Sequence, residues 1–243
     1  MKYHIITLGC PKNSVDSEGM GGILAAQGHT AVTAPADADV VIVNTCSFIA
    51  AARDETLDVL RDMAASKTSG QQLIAAGCMA ESHGALVGAV PGVDAILSTR
   101  EWMKIGDIVG EKSTTDDRRP TTKKTFTSDL LIPLEAMPQV QAPVAQLVAD
   151  TLAVEVPSSV VSGLAAEGGY ADWRTAPIRR HAGGPSAYLK ISDGCNLRCA
   201  FCTIPSFKGD MRSKAMGAIL GEAQELAAQG VKEIVLVVQH LAD

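Results

Sequence analysis

The sequence predicts an α/β chain: a parallel-sheet unit over residues 1–110, a dissimilar stretch over 111–186, and the opening of a second α/β unit over 187–243. Three observations predict it. Short apolar, β-rich runs alternate with helical stretches in both outer portions. Several of those runs lead directly into a loop that carries a cysteine. The stretch between them holds seven of the eleven prolines, a composition that interrupts regular structure.

Tyr3–Leu8, Val40–Val43, Leu73–Ala76 and Ala95–Leu97 read as buried strands, and Asp16–Gln27, Ala50–Ala65 and Glu81–Val90 as crossover helices. The first three strands end on Leu8-Gly9-Cys10, Asn44-Thr45-Cys46 and Ala76-Gly77-Cys78. Ligands of open α/β sheets bind in the loops after the carboxyl ends of the strands, so these three cysteines are expected along one sheet edge. Residues 111–186 read as a linker or insertion. From Leu134 to Trp173 there are five acidic residues and no Lys or Arg, and Val144, Leu147, Val148 and Leu152 have the spacing of one short amphipathic helix. The second unit follows as strand Ala187–Ile191, a cysteine loop, helix Ala215–Gln229 and strand Glu233–Val238.

Apolar residues make up 47% of the 243 and charged residues 20%, an ordinary globular composition. The longest apolar runs are far too short to span a bilayer. Met1–Cys10 has the outward form of a lipoprotein signal, but its apolar core is too short and helical, acidic sequence follows at once. The six cysteines are therefore expected in a reducing cytoplasm, in metal or catalytic roles rather than disulfides. A net charge of −6 and an aromatic content of 4% disfavour a generic nucleic-acid binder but leave a tRNA substrate open.

Cys195-Asn196-Leu197-Arg198-Cys199-Ala200-Phe201-Cys202 is the most informative stretch. Three thiolates spaced this way on a short loop can hold three irons of a cubane cluster and leave the fourth open to a small molecule. A zinc knuckle or a set of buried thiols is the alternative. A structural zinc wants four close ligands, and the nearest His residues, His181 and His240, are distant in sequence. Taken singly, Cys10, Cys46 and Cys78 read as small hydrophobes at strand ends; their shared position is what suggests a second three-thiolate site.

The stretch Gly9-Cys10-Pro11-Lys12-Asn13-Ser14-Val15-Asp16-Ser17-Glu18 resembles the opening signature of the methylthiotransferase family of radical S-adenosylmethionine enzymes. Asn44-Thr45-Cys46-Ser47-Phe48-Ile49 and Gly77-Cys78-Met79 resemble its second and third cysteine motifs. Asp193-Gly194-Cys195 through Gly209, with Met211-Arg212-Ser213-Lys214, resembles its radical core loop. Pro11-Lys12-Asn13 and Pro205-Ser206-Phe207-Lys208-Gly209 look like the branch that modifies a ribosomal protein; the tRNA-modifying branch tends to carry Gln-Met-Asn after the first cysteine. The resemblance covers residues 1–110 and 187–243.

The resemblance implies a flavodoxin- or Rossmann-like parallel-sheet domain, then the first strands and helix of a truncated radical (β/α) barrel. It also implies two 4Fe-4S clusters. One, on Cys195, Cys199 and Cys202, would reduce S-adenosylmethionine to a 5′-deoxyadenosyl radical, with Phe201 near the adenine. The radical would take hydrogen from the β-carbon of an aspartate in a small-subunit ribosomal protein. The other, on Cys10, Cys46 and Cys78, would supply or carry the sulfur. An electron donor such as flavodoxin or ferredoxin is implied, and no membrane.

Lys12, Asn13, Asp16 and Glu18 are candidates to shape the first cluster pocket, with helix N-terminal electrostatics the alternative for Asp16 and Glu18. Lys208, Arg212 and Lys214 read by default as a solvated basic face, with approach to a carboxylate or phosphate the alternative, and Gly9, Gly77 and Gly194 as sites of close backbone approach. A full barrel takes about 250 residues, against 49 from Cys195 to Asp243. The chain is accordingly expected to be part of a longer protein and inactive alone, and His240 stands where an Asp is expected. A tRNA adenosine methylthiotransferase and a non-catalytic iron–sulfur-binding protein are the rival readings.

Overall fold

In the computed structural model the structure describes residues 1–109, 173–175 and 177–240. All of them fall within one compact unit. Its centre is a five-stranded, wholly parallel sheet. The elements run β1 (Lys2–Thr7), α1 (Pro11–Ala26), β2 (Thr30–Ala31), β3 (Val40–Thr45), α2 (Ala50–Ala65), β4 (Gln72–Gly77), α3 (Cys78–Ser82), α4 (Gly84–Gly88), β5 (Ala95–Ser98) and α5 (Ile105–Ile108). The strand order is β2-β1-β3-β4-β5, the flavodoxin-like order, whose binding crevice lies where the winding reverses between β1 and β3.

The central strand explains its own sequence. Val40-Val41-Ile42-Val43 shows no polar alternation because both faces are covered. Val40 and Ile42 pack on one side with Val15, Met20 and Leu24 of α1. Val41 and Val43 pack on the other with Leu60 of α2 and with Met79 and Val87. Successive side chains of a strand point to opposite faces, so each core takes every second residue.

The expected strands lie within one or two residues of those observed. Helix α1 begins at Pro11, five residues earlier than expected, because proline at the first helical position has its φ preset and loses no hydrogen bond there. The single helix expected over Glu81–Val90 is instead α3 and α4, separated at His83. There the Ser82 hydroxyl donates to the Cys78 carbonyl (2.9 Å), offering the backbone a local alternative to helix.

The second portion adds β6 (Ser186–Lys190), β7 (Ser192–Asp193), α6 (Ile204–Lys208), β8 (Arg212–Ser213), α7 (Met216–Ala228) and β9 (Glu233–Val237). Strands β6 and β9 pair in parallel across α7, and β7 pairs antiparallel with β8. Trp173 and Ile178 enter the core on the α1 side of the central sheet. A Cβ on Gly19 of α1 would meet the Trp102 ring at 2.7 Å and Ile178 at 2.9 Å, so glycine sets how closely that layer approaches. The amphipathic helix expected near Val144–Leu152 lies outside the described residues.

Ile42 is fully buried while Leu86 is half-exposed. Ile42→Ala is expected to cost about 2–5 kcal/mol in denaturant unfolding, and Leu86→Ala to stay within about 0.5 kcal/mol of the parent. Equal costs at the two positions would contradict this placement of the core.

Candidate functional site

The carboxyl ends of β1, β3 and β4 are neighbours in the sheet, and each delivers a thiol. Cys10 caps the start of α1, Cys46 follows β3 directly, and Cys78 opens α3. All three line one cavity of about 640 Å³, together with Lys12, Phe48, Phe207, Lys208 and residues 236–240. Cys46 and Cys78 are buried and Cys10 is exposed.

Gly9, Gly77 and Gly194 all have positive φ, at 91°, 97° and 81°. At Gly9 a side chain would sit 2.7 Å from both Cβ and Sγ of Cys46. Only glycine lets the first two cysteine loops come this close.

A layer of short polar side chains fixes these loops. The Asn13 amide donates to the carbonyls of Leu8 (2.8 Å) and Thr45 (3.0 Å). The Asn44 amide donates to the Asn13 carbonyl (2.9 Å), and the Met79 N–H donates to the Thr45 hydroxyl (3.1 Å). The Thr56 hydroxyl donates to the Cys46 carbonyl (2.9 Å). Sequence reasoning singled out Asn13 alone among these. Asn44 and Thr45 had a signal in their adjacency to Cys46, whereas Thr56 had none.

Cys195, Cys199 and Cys202 share the loop between β7 and α6. The Cys195 N–H donates to the Gly209 carbonyl (3.1 Å), and the Cys202 N–H to the Cys199 carbonyl (3.0 Å). Cys195 is buried, Cys202 half-buried and Cys199 exposed, while Phe201 is 90% exposed. Among the described residues, no three His, Cys, Asp or Glu side chains are gathered tightly enough to hold a metal ion. A cubane cluster asks for a different arrangement, with one thiolate on each of several irons. Three thiols on the wall of one largely apolar cavity, and three more on one short loop, are donor sets of that kind.

The lysines depart from the expectation of a solvated basic face. Lys208 and Lys214 are both buried, because each has a buried carboxylate to meet. Lys208 donates to Asp193 (3.1 Å) and to the Thr99 hydroxyl (3.1 Å). Lys12 donates to the same carboxylate at 3.0 Å. Lys214 and Arg180 both pair with Glu222. Arg212 is half-buried and donates to the Lys208 carbonyl at 3.5 Å.

Asp16 and Glu18 lie past the first turn of α1, so they do not serve its N-terminus. Asp16 instead accepts from Lys190, and Glu18 from Arg180. The Lys190 ammonium also sits 5.4 Å from the Trp102 ring centroid and 4.6 Å from that of Trp173, cation–π distances. Lys190, Arg180 and Glu222 were missed in the sequence. The available signal was a lysine inside the apolar strand Ala187–Ile191.

Burial alone would push the Asp193 carboxyl up. The ammonium groups of Lys208, Lys190 and Lys12 outweigh it and hold Asp193 well below the usual carboxylate range. Burial pulls the Lys12 ammonium down, only partly offset by Asp193. For Lys208 burial acts in the same sense, but Asp193 overrides it and raises the group above an ordinary lysine. The Cys78 thiol is pushed up to about 11 by burial, against the pull of Lys208.

Residues 2–98 match the Uncharacterized protein family UPF0004, and residues 189–240 match the Radical SAM superfamily. Over all 243 residues the chain is 67% identical to a Roseiflexus sp. (strain RS-1) protein named ribosomal protein uS12 methylthiotransferase RimO, covering 46% of that protein. A Chloroflexus aurantiacus protein of the same name is 58% identical over the whole chain, with 47% of its own length covered. One from Streptomyces griseus is 36% identical over 97% of the chain and 48% of its own length. The chain thus spans about half the length of the curated relatives it matches.

Thiolates, not thiols, are alkylated. In the metal-free chain at pH 8, iodoacetamide is expected to label exposed Cys10 and Cys199 first and Cys78 last, read by peptide mass spectrometry. Early labelling of Cys78 would show that its burial beside α1 is wrong.

Proposed function

We propose that this chain, a member of the methylthiotransferase family of radical S-adenosylmethionine enzymes most like the relatives named RimO, adds a methylthio group to the β-carbon of an aspartate in ribosomal protein uS12. The observation that carries the reading is the pair of three-cysteine sets on one fold, joined through Asp193. Cys10, Cys46 and Cys78 line a cavity at the sheet edge, and Cys195 lies two residues beyond Asp193, which pairs with Lys12, itself two residues beyond Cys10.

In this reading each set holds one 4Fe-4S cluster, which makes two. Cys195, Cys199 and Cys202 would hold the cluster that, when bound, would supply the electron for reductive cleavage of S-adenosylmethionine. The chain's own residues bind, orient and exclude water. The hydrogen bond from Cys195 N–H to the Gly209 carbonyl and the β7–β8 pairing close the radical loop on itself, while Lys12–Asp193, Lys208–Thr99 and the bond from the Arg100 guanidinium to the Phe207 carbonyl tie it to the first portion. Phe48, Ile49, Ile204 and Phe207 give the three-thiol cavity apolar walls, and such walls keep water from reactive intermediates. Phe201, exposed beside Cys202, is the aromatic proposed to meet the adenine, as the family resemblance implies. The domain division follows: residues 1–110 as the sulfur-supplying domain, 111–186 as a linker or insertion, and 187–243 as the start of the radical domain. A flavodoxin- or ferredoxin-like protein is the proposed reductant. No described helix is long and apolar enough to cross a membrane.

Anaerobic reconstitution with iron and sulfide is expected to give a brown, oxygen-sensitive chain whose reduced spectrum changes on adding S-adenosylmethionine, a response that Cys199→Ala abolishes. In cells lacking the gene, uS12 is expected to lose the mass of one methylthio group. A colourless reconstituted chain, or loss of a methylthio group from tRNA in place of uS12, would overturn the reading.

A further inference from the structure

The cavity that holds Cys10, Cys46 and Cys78 has an unbalanced charge built into its wall. Among the described residues, Lys12 and Lys208 both line it and no Asp or Glu does. Behind them sit two buried carboxylates and one more buried ammonium: Asp193 between Lys12 and Lys208, and Asp16 against Lys190. Among the described residues of this cluster, three ammonium groups thus face two carboxylates, and one positive charge is in surplus. The residues are all nearly excluded from solvent, with Lys12 5%, Lys208 3% and Asp193 2% exposed. Water therefore screens that charge poorly.

The ammonium groups also retain donors. Each has three N–H bonds. Among the described residues, Lys12 uses one on Asp193, while Lys208 is shared between Asp193 and Thr99. A buried salt bridge serving stability alone has no need of a second lysine on the same carboxylate, since an extra unpaired charge costs several kcal/mol to desolvate. The surplus is explained if something electron-rich comes to face it.

We propose that Lys12 and Lys208 are positioning residues for an iron–sulfur cluster on Cys10, Cys46 and Cys78, their surplus positive charge favouring its reduced state while Asp193 fixes where that charge sits. The inference rests on the three-thiol reading given above. Its physical basis is that cluster potentials follow the local net charge, hydrogen bonds to sulfur and solvent exposure. Reduction adds one electron without making or breaking a bond to the protein. A positive charge nearby raises the midpoint potential, and Asp193, of opposite sign, lowers it.

The sign of the effect separates charge from damage. The full chain carrying Cys195→Ala, Cys199→Ala and Cys202→Ala is reconstituted anaerobically with iron and sulfide, so that only the cavity site is loaded. It is then poised with dithionite and redox mediators and followed by electron paramagnetic resonance. Lys208→Gln and Lys12→Gln are each expected to move the midpoint potential negative, Asp193→Asn to move it positive, and Lys208→Arg to stay near the parent. General loosening of the cavity would move all the variants the same way. Shifts of one sign throughout, or no shift in either lysine variant, overturn the proposal. If the parent takes up no iron at the cavity, the three-thiol reading itself fails and this inference falls with it. Iron uptake with an unmoved potential sinks the inference alone.

Discussion

A carboxylate almost wholly removed from water stays ionised only if cations meet it, and Asp193 is met by two. The desolvation penalty amounts to several kcal/mol per buried ion, so removing a single partner from such a group costs about 3–5 kcal/mol. This requirement makes the rest of the arrangement obligatory. Lys12 has to stand on the inner face of α1 and Lys208 at the end of α6, and the strand carrying Asp193 has to sit between them. The two cysteine regions are brought to the same part of the molecule by one acid that neither can leave unpaired.

Helix α1 is the element on which these demands converge. One side of it packs Val15, Met20 and Leu24 onto the parallel sheet. Its polar residues Lys12, Asp16 and Glu18 meet Asp193, Lys190 and Arg180 from the second portion. A helix buried on several sides cannot show a single apolar stripe, so its sequence mixes glycine, charge and aliphatic residues in a way that looks unpatterned. Arg180 and Lys214 close the arrangement by sharing Glu222 of α7. The buried ions contribute orientation more than net stability, since apolar residues of similar volume would often hold the same surfaces together as well.

What was legible in the sequence was whatever depends on near neighbours. Val40–Val43 announced a strand covered on both faces, and the cysteines after Leu8, Thr45 and Gly77 announced a sheet edge. Pro11 marked a helix start that the acidic residues Asp16 and Glu18 obscured. The lysines were not legible for a physical reason: Lys12 finds its partner 181 residues away and Lys190 finds its own 174 away. A lysine's solvation is decided by the group opposite it, and nothing in Ser213-Lys214-Ala215 reveals that it meets Glu222 in the middle of α7. Lys190 was missed too, although it alone carried a local signal: a lysine within Ala187–Ile191 must either leave the strand or be paired. The recognisable motifs around each cysteine carried the functional reading where local rules left the six thiols ambiguous.

The distance between Lys12 and Asp193 has a consequence in time. Chains emerge from the ribosome at roughly 5–20 residues per second, so roughly 10–40 s separate synthesis of the lysine from synthesis of its carboxylate. Throughout that interval the sheet can assemble, since β1 to β5 and the helices between them come from the first 108 residues. Its outer helix meanwhile keeps Lys12 and Asp16 hydrated, with no partner yet made. Completion of the fold is then a late docking event, in which two hydrated charges are traded for ion pairs and Trp173 and Ile178 cover the exposed side of α1. The nascent protein passes through a half-built stage in which the strands that carry Cys10, Cys46 and Cys78 are already made and the wall supplied by Ile204, Phe207 and Lys208 is still missing.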